Sequence, residues 1–208
     1  MTATATSETG GSGIRARAAL VSLSQYRKRG KEPPMALKIL AGETGMLPAR
    51  EASPEHQTVL QGLRDRAFLM SERYASQQMR ASTEGSRPEI IAFYDAFQRQ
   101  LRALGVPMFA HTFVRDSHAQ DEAFATGHSK AQAGESPHNF GCAVDVVHSR
   151  KAWSLTKREW AVIGHIGKDV AARNQMKIDW GGDWQFWDPA HWEIRRWRSI
   201  VSSPPKGG

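Results

Sequence analysis

Apolar side chains return at every third or fourth position in three stretches of the chain, the period of helices with one buried face. After Ser53-Pro54-Glu55, an N-cap with proline in the first turn, Leu60, Leu63, Ala67, Met70 and Tyr74 share a stripe. That stripe predicts a helix of about 25 residues. A second helix starts at Pro88, carries Ile90, Phe93, Phe97, Leu101 and Leu104 on one face, and stops at Gly105. A third opens with the capping box Thr156-Lys157-Arg158-Glu159, aligns Trp160, Ile163, Gly167 and Val170, and ends near Asn174.

Between these stretches the period shortens to two. Residues Val106 to Arg115 read as a strand in which Phe109, His111, Phe113 and Arg115 share a face, with Arg115 emerging at its end. Lys177 to Trp180 reads as a short strand and Gly181-Gly182 as a turn. His191 to Ile194 reads as a further strand, entered through Asp188-Pro189-Ala190. The polar run Ala81 to Arg87, with Gly85 inside it and Pro88 after it, reads as a linker. The chain is therefore expected to divide into a flexible basic arm (1–35), a helical N-terminal extension (36–87), a catalytic domain (88–200) and a flexible tail (201–208). There is no internal repeat.

Composition narrows the chemistry. At 208 residues, with 40% hydrophobic and 24% charged positions, the chain suits one globular domain plus an appendage. Cys142 is the only cysteine, so an intrachain disulfide and a zinc site built from several thiolates are both excluded. Beside the candidate ligands it reads as a small buried hydrophobe rather than a nucleophile. The net charge of +7 favours anionic partners: nucleic acid, lipopolysaccharide, teichoic acid or the acidic peptides of murein. In the arm, Arg15, Arg17, Arg27, Lys28, Arg29 and Lys31 oppose Glu8 and Glu32, six minus two, or +4. That arm reads as a solvated segment or a tether to anionic wall or outer-membrane polymers, and Arg195-Arg196-Trp197-Arg198 as a solvated helix end or a similar patch. No apolar run reaches membrane-spanning length, and no apolar stretch follows the N-terminus as in a secretory signal. The expectation is a monomer made in the cytoplasm.

The segment Ser136-Pro137-His138-Asn139-Phe140-Gly141-Cys142-Ala143-Val144-Asp145 concentrates the chemistry. A turn-prone stretch delivers His138, a small-residue strand delivers Asp145 seven positions on, and Gly141 lets the backbone reverse between them. Near the other end Trp180-Gly181-Gly182-Asp183-Trp184 precedes Asp188-Pro189-Ala190-His191-Trp192-Glu193, which adds His191 and a carboxylate three residues before it. Two imidazoles and one carboxylate leave a fourth tetrahedral position for water, the open arrangement of a catalytic zinc site. Asp188 is the candidate base for that water. Glu193, two residues past His191 on the same strand face, is an alternative base or an anchor for the free ring nitrogen of His191. Asp183 reads as a turn residue bonding backbone amides, and its tryptophan neighbours as core or cleft wall. His56, His118, His128, His148 and His165 read as structural, with His111 slightly more interesting.

These segments resemble the M15 family of zinc murein peptidases, whose signature S-x-H-x-x-G-x-A-x-D followed by D/E-x-x-H is matched at every defined position. Arg115, Gln120 and Gly127 stand where the family carries an Arg, a Gln and a Gly ahead of the signature, and the resemblance spans about Pro88 to Trp197. The W-G-G-D-W segment and Asp188 are similar to bacteriophage endolysins that cleave the L-alanyl-D-glutamate bond. The resemblance implies an α+β fold: a small antiparallel sheet flanked by helices, of the M15 and hedgehog-like type, here with its helical N-terminal extension. It implies one Zn2+ held by His138, Asp145 and His191, with Asp188 as general base and Arg115 stabilising the oxyanion or orienting substrate. Ser136, Gln120 and Glu193 would support the site or touch substrate, and bacterial peptidoglycan would be the partner. It also implies action on the wall after release from the host cytoplasm, with virion association open.

Three competing readings remain at this level. A D-alanyl-D-alanine carboxypeptidase or dipeptidase would use the same fold. A non-haem Fe(II) oxygenase would also use two His and a carboxylate, but places the first pair two apart rather than seven. A basic nucleic-acid-binding or virion structural protein has only the arm and the charge in its favour.

Overall fold

The computed structural model describes residues 10–33, 54–127 and 131–202. Parts of the expected arm and extension, the tail from 203 and His128 lie outside the described residues. Gly10–Lys28, expected within a flexible arm, forms helix α1, with Ala19 and Leu23 buried. Its Ala, Leu and Arg residues are strong helix formers, a signal that the excess of basic charge masked.

The stripe from Leu60 to Tyr74 does not form one long helix. It breaks into α2 (Pro54–Leu63), α3 (Arg66–Leu69) and α4 (Glu72–Gln78). Asp65 and Ser71 cause the breaks: their side chains accept hydrogen bonds from the backbone N–H groups of Phe68 and Tyr74 and start new helices. Helix α5 (Pro88–Leu104) ends at Gly105, whose φ of 84° is left-handed. Its inner face inserts Phe93 and Phe97 against Trp192, with ring centroids at 5.1 and 5.0 Å. Full burial of each such side chain is worth about 1.5–3 kcal/mol.

Strand β1 (Met108–Thr112) is followed by α6 (Ser117–Ala125), β2 (Ala143–His148), α7 (Lys157–Arg173), β3 (Ile178–Trp180), β4 (His191–Ile194) and the short α8 (Trp197–Val201). The expected capping box is present at Thr156 and Glu159. The four strands form one antiparallel sheet in the order β1-β2-β4-β3, so the fold is α+β with a small antiparallel sheet and flanking helices, as expected. Helices α5 and α7 pack together and against the sheet. Gly167 of α7 is small because a Cβ there would lie 2.1 Å from the Trp192 ring, which explains its place in the apolar stripe.

The expected strand Val106 to Arg115 is shorter, and a bulge interrupts it: Ala110 pairs with Val146 and Thr112 with Asp145, leaving His111 extra. The two-residue alternation that put Phe109, His111, Phe113 and Arg115 on one face is therefore broken, and Phe109 and Phe113 are buried while Arg115 is not.

Leu60 and Leu63 of α2 belong to the same apolar cluster as α5, α7 and the sheet. Tyr74 and Gln98 bond to each other at 2.8 Å, and both reach the carbonyl of Met108. His148 closes the same seam: one ring nitrogen meets the carbonyl of Leu63 at 3.3 Å and the other the N–H groups of Arg150 and Lys151. The sequence boundary at 87 and 88 thus does not separate two cores.

Candidate metal centre and its cleft

Antiparallel register places Asp145 of β2 directly across from His191 of β4, so two candidate ligands from distant parts of the chain become neighbours through backbone pairing. His138 arrives differently. Ser136 caps a single 3-10 turn, Pro137–Phe140, by accepting from the N–H of His138, and Gly141 ends the turn at φ +62°. The turn is laced to the segment after β1: Arg115 N–H donates to the carbonyl of His138, and Asn139 Nδ2 donates to the carbonyl of Arg115 at 2.8 Å. A Cβ on Gly141 would lie 2.1 Å from the carbonyl oxygen of Gly85, and the N–H of Arg87 donates to the carbonyl of Gly141 at 2.8 Å. The expected linker is thus seated against the ligand turn.

Three atoms converge: His138 Nε2 and His191 Nδ1 lie 3.2 Å apart, and Asp145 Oδ1 is 3.3 Å from the first and 3.1 Å from the second. The edge of a tetrahedron of nitrogen and oxygen ligands around zinc is about 3.3 Å for bonds of about 2.0–2.1 Å. The outer nitrogens are also occupied: His138 Nδ1 meets the carbonyl of Phe113 at 2.7 Å, and His191 Nε2 meets Glu193 Oε2 at 3.2 Å. Such outer partners orient metal-binding imidazoles and raise their basicity. Distances, donor types and outer contacts all fit one divalent ion.

Burial opposes a negative charge on Asp145, but His138 and His191 outweigh it and hold the carboxyl well below the usual carboxylate range. Burial also opposes a positive His191, but hydrogen bonds to Asp145 and Glu193 prevail and lift its pKa to about 9. Asp188 shares the cleft; burial first, and the charge of Asp145 second, push its pKa up against the opposing histidines and Arg115.

Arg115 approaches Asp145 Oδ2 at 3.6 Å and donates from Nη1 to Gln120 Oε1 at 3.0 Å. Gln120, fully buried on α6, is itself anchored to the carbonyl of Ala131. Gly127 lies in the turn that closes α6, its φ +75° the feature that requires glycine. Asp183, expected to bond backbone amides, instead accepts from Lys168 Nζ with both oxygens at 2.9 Å, its side-chain partner among the described residues. Cys142 is buried, and burial raises its thiol pKa, in keeping with a packing role. Of the tryptophans beside the Gly181-Gly182 turn, Trp180 is core, while Trp184 is cleft wall with its ring 5.2 Å from His191.

Sequence patterns missed Glu135 and Phe186, which also line the cleft, and read Trp197 and Arg198 only as part of a solvated helix end or anionic-polymer patch. Arg198 was visible only as one of several arginines, because nothing local reveals that α8 folds back against the His138 turn.

Residues 129–194 match the M15 peptidase family described as D-alanyl-D-alanine carboxypeptidase. The chain is 28% identical over 119 residues to the peptidoglycan L-alanyl-D-glutamate endopeptidase CwlK of Bacillus subtilis (strain 168), covering 48% of this chain and 68% of that protein. It is 26% identical to the crystal structure of the Serratia marcescens L-Ala D-Glu endopeptidase ChiX, with a TM-score of 0.46 over 57% of this chain and 86% of that one. No helix among the described residues is long and apolar enough to cross a membrane. The matching segment spans all three candidate ligands, and with these gathered in one cleft beside Asp188 the chain is similar to peptidases of the M15 family.

Proposed function

We propose that this chain is a zinc-dependent endopeptidase that hydrolyses the L-alanyl-D-glutamate bond of bacterial peptidoglycan stem peptides, acting as a phage endolysin. The observation that carries the zinc reading is the triangle of His138 Nε2, His191 Nδ1 and Asp145 Oδ1, with sides of 3.1 to 3.3 Å. The bond specificity rests on the likeness to CwlK, and the endolysin role on the Trp180-Gly181-Gly182-Asp183-Trp184 segment.

His138, Asp145 and His191 would hold the zinc ion, which would supply Lewis acidity to the scissile carbonyl and to the attacking water. Asp188 takes the proton of the attacking water and returns it to the leaving amine; its raised pKa suits a group that must both accept and donate. Arg115, held by Gln120, presents positive charge beside the ligands and stabilises the negative charge that develops on the carbonyl oxygen. Glu193 holds His191 by its outer nitrogen, and Ser136 holds the His138 turn.

Mass spectrometry of digested muropeptides tests the reading. New amino termini on D-glutamate are expected, abolished by chelator and restored by zinc. Asp188→Asn is expected to lose about 100- to 10,000-fold in rate with its metal content unchanged. Undiminished turnover by that variant would defeat the base assignment. The family description favours one alternative, D-alanyl-D-alanine carboxypeptidase activity, which would release D-alanine with no new glutamate amino termini.

A further inference from the structure

The cleft carries four carboxylates, those of Glu135, Asp145, Asp188 and Glu193, and two guanidinium groups, those of Arg115 and Arg198. Each carboxylate faces a protein partner or the reaction centre: Asp145 belongs to the ligand set, Glu193 holds His191, Asp188 stands beside the ligands, and Glu135 accepts from the N–H of Gln132. Arg115 is committed to Gln120 and Asp145.

Arg198 is differently placed. It stands on α8, whose first residue, Trp197, is buried and stacked on Phe140 of the His138 turn with centroids 5.4 Å apart. The Arg198 guanidinium lies 4.4 Å from the centre of the Trp197 ring, and Nη2 donates to the carbonyl of Glu135 at 3.2 Å. The exposed guanidinium thus rests on an aromatic face and against one backbone carbonyl, while no other N–H of it meets a side chain among the described residues. Arg198 also lies beyond the segment that matches the family, residues 129–194.

Cleavage before a glutamate imposes a problem of charge. That residue has two carboxyl groups: one continues the peptide, and the other remains free close to the bond being cut. With Asp145 and Arg115 already engaged around the ligands, a free carboxylate that enters this cleft loses water and needs a cation with open donors to receive it. We infer that Arg198 is a specificity residue, binding the free carboxylate of the glutamate on the amine side of the cleaved bond. This rests on the L-alanyl-D-glutamate reading above.

The contact is made equally in the bound state and the transition state, so its loss raises KM and leaves kcat in place. Three synthetic peptides test it: one with both carboxylates free, one with the glutamate carboxylate converted to carboxamide, and one with only the C-terminus amidated. The wild-type protein is expected to lose about 10- to 100-fold in kcat/KM on the glutamate carboxamide, the range of a charge-assisted hydrogen bond. Arg198→Gln is expected to cleave both glutamate forms alike, at the rate of wild type on the carboxamide, with unchanged metal content and melting temperature. Arg198→Lys should restore part of the preference. Retained discrimination in Arg198→Gln, an equal loss on both glutamate forms, or discrimination that follows the C-terminal amide would each overturn the assignment. If the wild type cuts none of the three before glutamate, the bond specificity itself is wrong and the inference falls with it.

Discussion

His191 lies between two carboxylates, Asp145 on one ring nitrogen and Glu193 on the other, and in the metal-free chain this keeps it protonated up to about pH 9. Ligation requires the neutral ring, so metal uptake near neutral pH must expel a proton. Titration calorimetry at pH 7 in buffers of different ionisation enthalpy is expected to show about one proton released per zinc ion. Buffer-independent heats would contradict it. The sign for stability follows from the same shift. The folded pKa of about 9 lies above the ordinary histidine value of roughly 6.5, so this group's contribution is complete below the lower value and lost as pH rises through the upper one. The melting temperature of the metal-free chain should therefore fall over that window. That His138, His191, Asp145 and Asp188 belong together was legible in the sequence, because the spacing and types of the signature are themselves chemical requirements, and the four share one cleft. The carbonyl of Phe113 that orients His138 left no such trace, since any residue supplies a carbonyl.

Local rules read most elements correctly where a side chain acts on its own backbone. Gly105 closes α5 and Thr156 opens α7, as the capping chemistry predicts. The same rules defeat a reading by periodicity alone: Asp65 and Ser71 cap new helices inside an apolar stripe that looks continuous. The bulge at His111 was hidden because it depends on which residue of β2 each residue of β1 meets. The Gly141 turn joins both kinds of cause. Its positive φ was foreseeable, whereas the collision of a Cβ with the Gly85 carbonyl was not. Gly141→Ala is expected to cost about 1–3 kcal/mol from backbone strain alone, with more from the displaced Gly85 segment. Denaturant unfolding of the metal-free chain and zinc affinity should both report it; unchanged values in both would show that the turn tolerates a side chain.

Taken together, residues 54–87 pack into the same unit as the candidate metal centre. Leu60 and Leu63 complete the apolar cluster, the Leu63 carbonyl faces His148, and the Gly85 and Arg87 backbone fixes the end of the ligand turn. A chain beginning at residue 54 is expected to keep a cooperative melting transition and wall hydrolysis. One beginning at 88 should lose both, because it exposes the face that α2 covers and frees the turn bearing His138. Cooperative unfolding with full activity in the shorter chain would show that residues 54–87 are dispensable.

The order and spacing of residues were enough to point to the candidate ligands, the caps, helices α5 and α7 and the likeness to the M15 family, because each depends on neighbours within one segment. Convergence depended on folding. Antiparallel pairing set Asp145 against His191, α8 brought Arg198 to the cleft, and a polar linker became the wall behind a ligand turn. Contacts between residues so far apart along the chain follow from how elements pack against a shared core, and no local pattern encodes that packing.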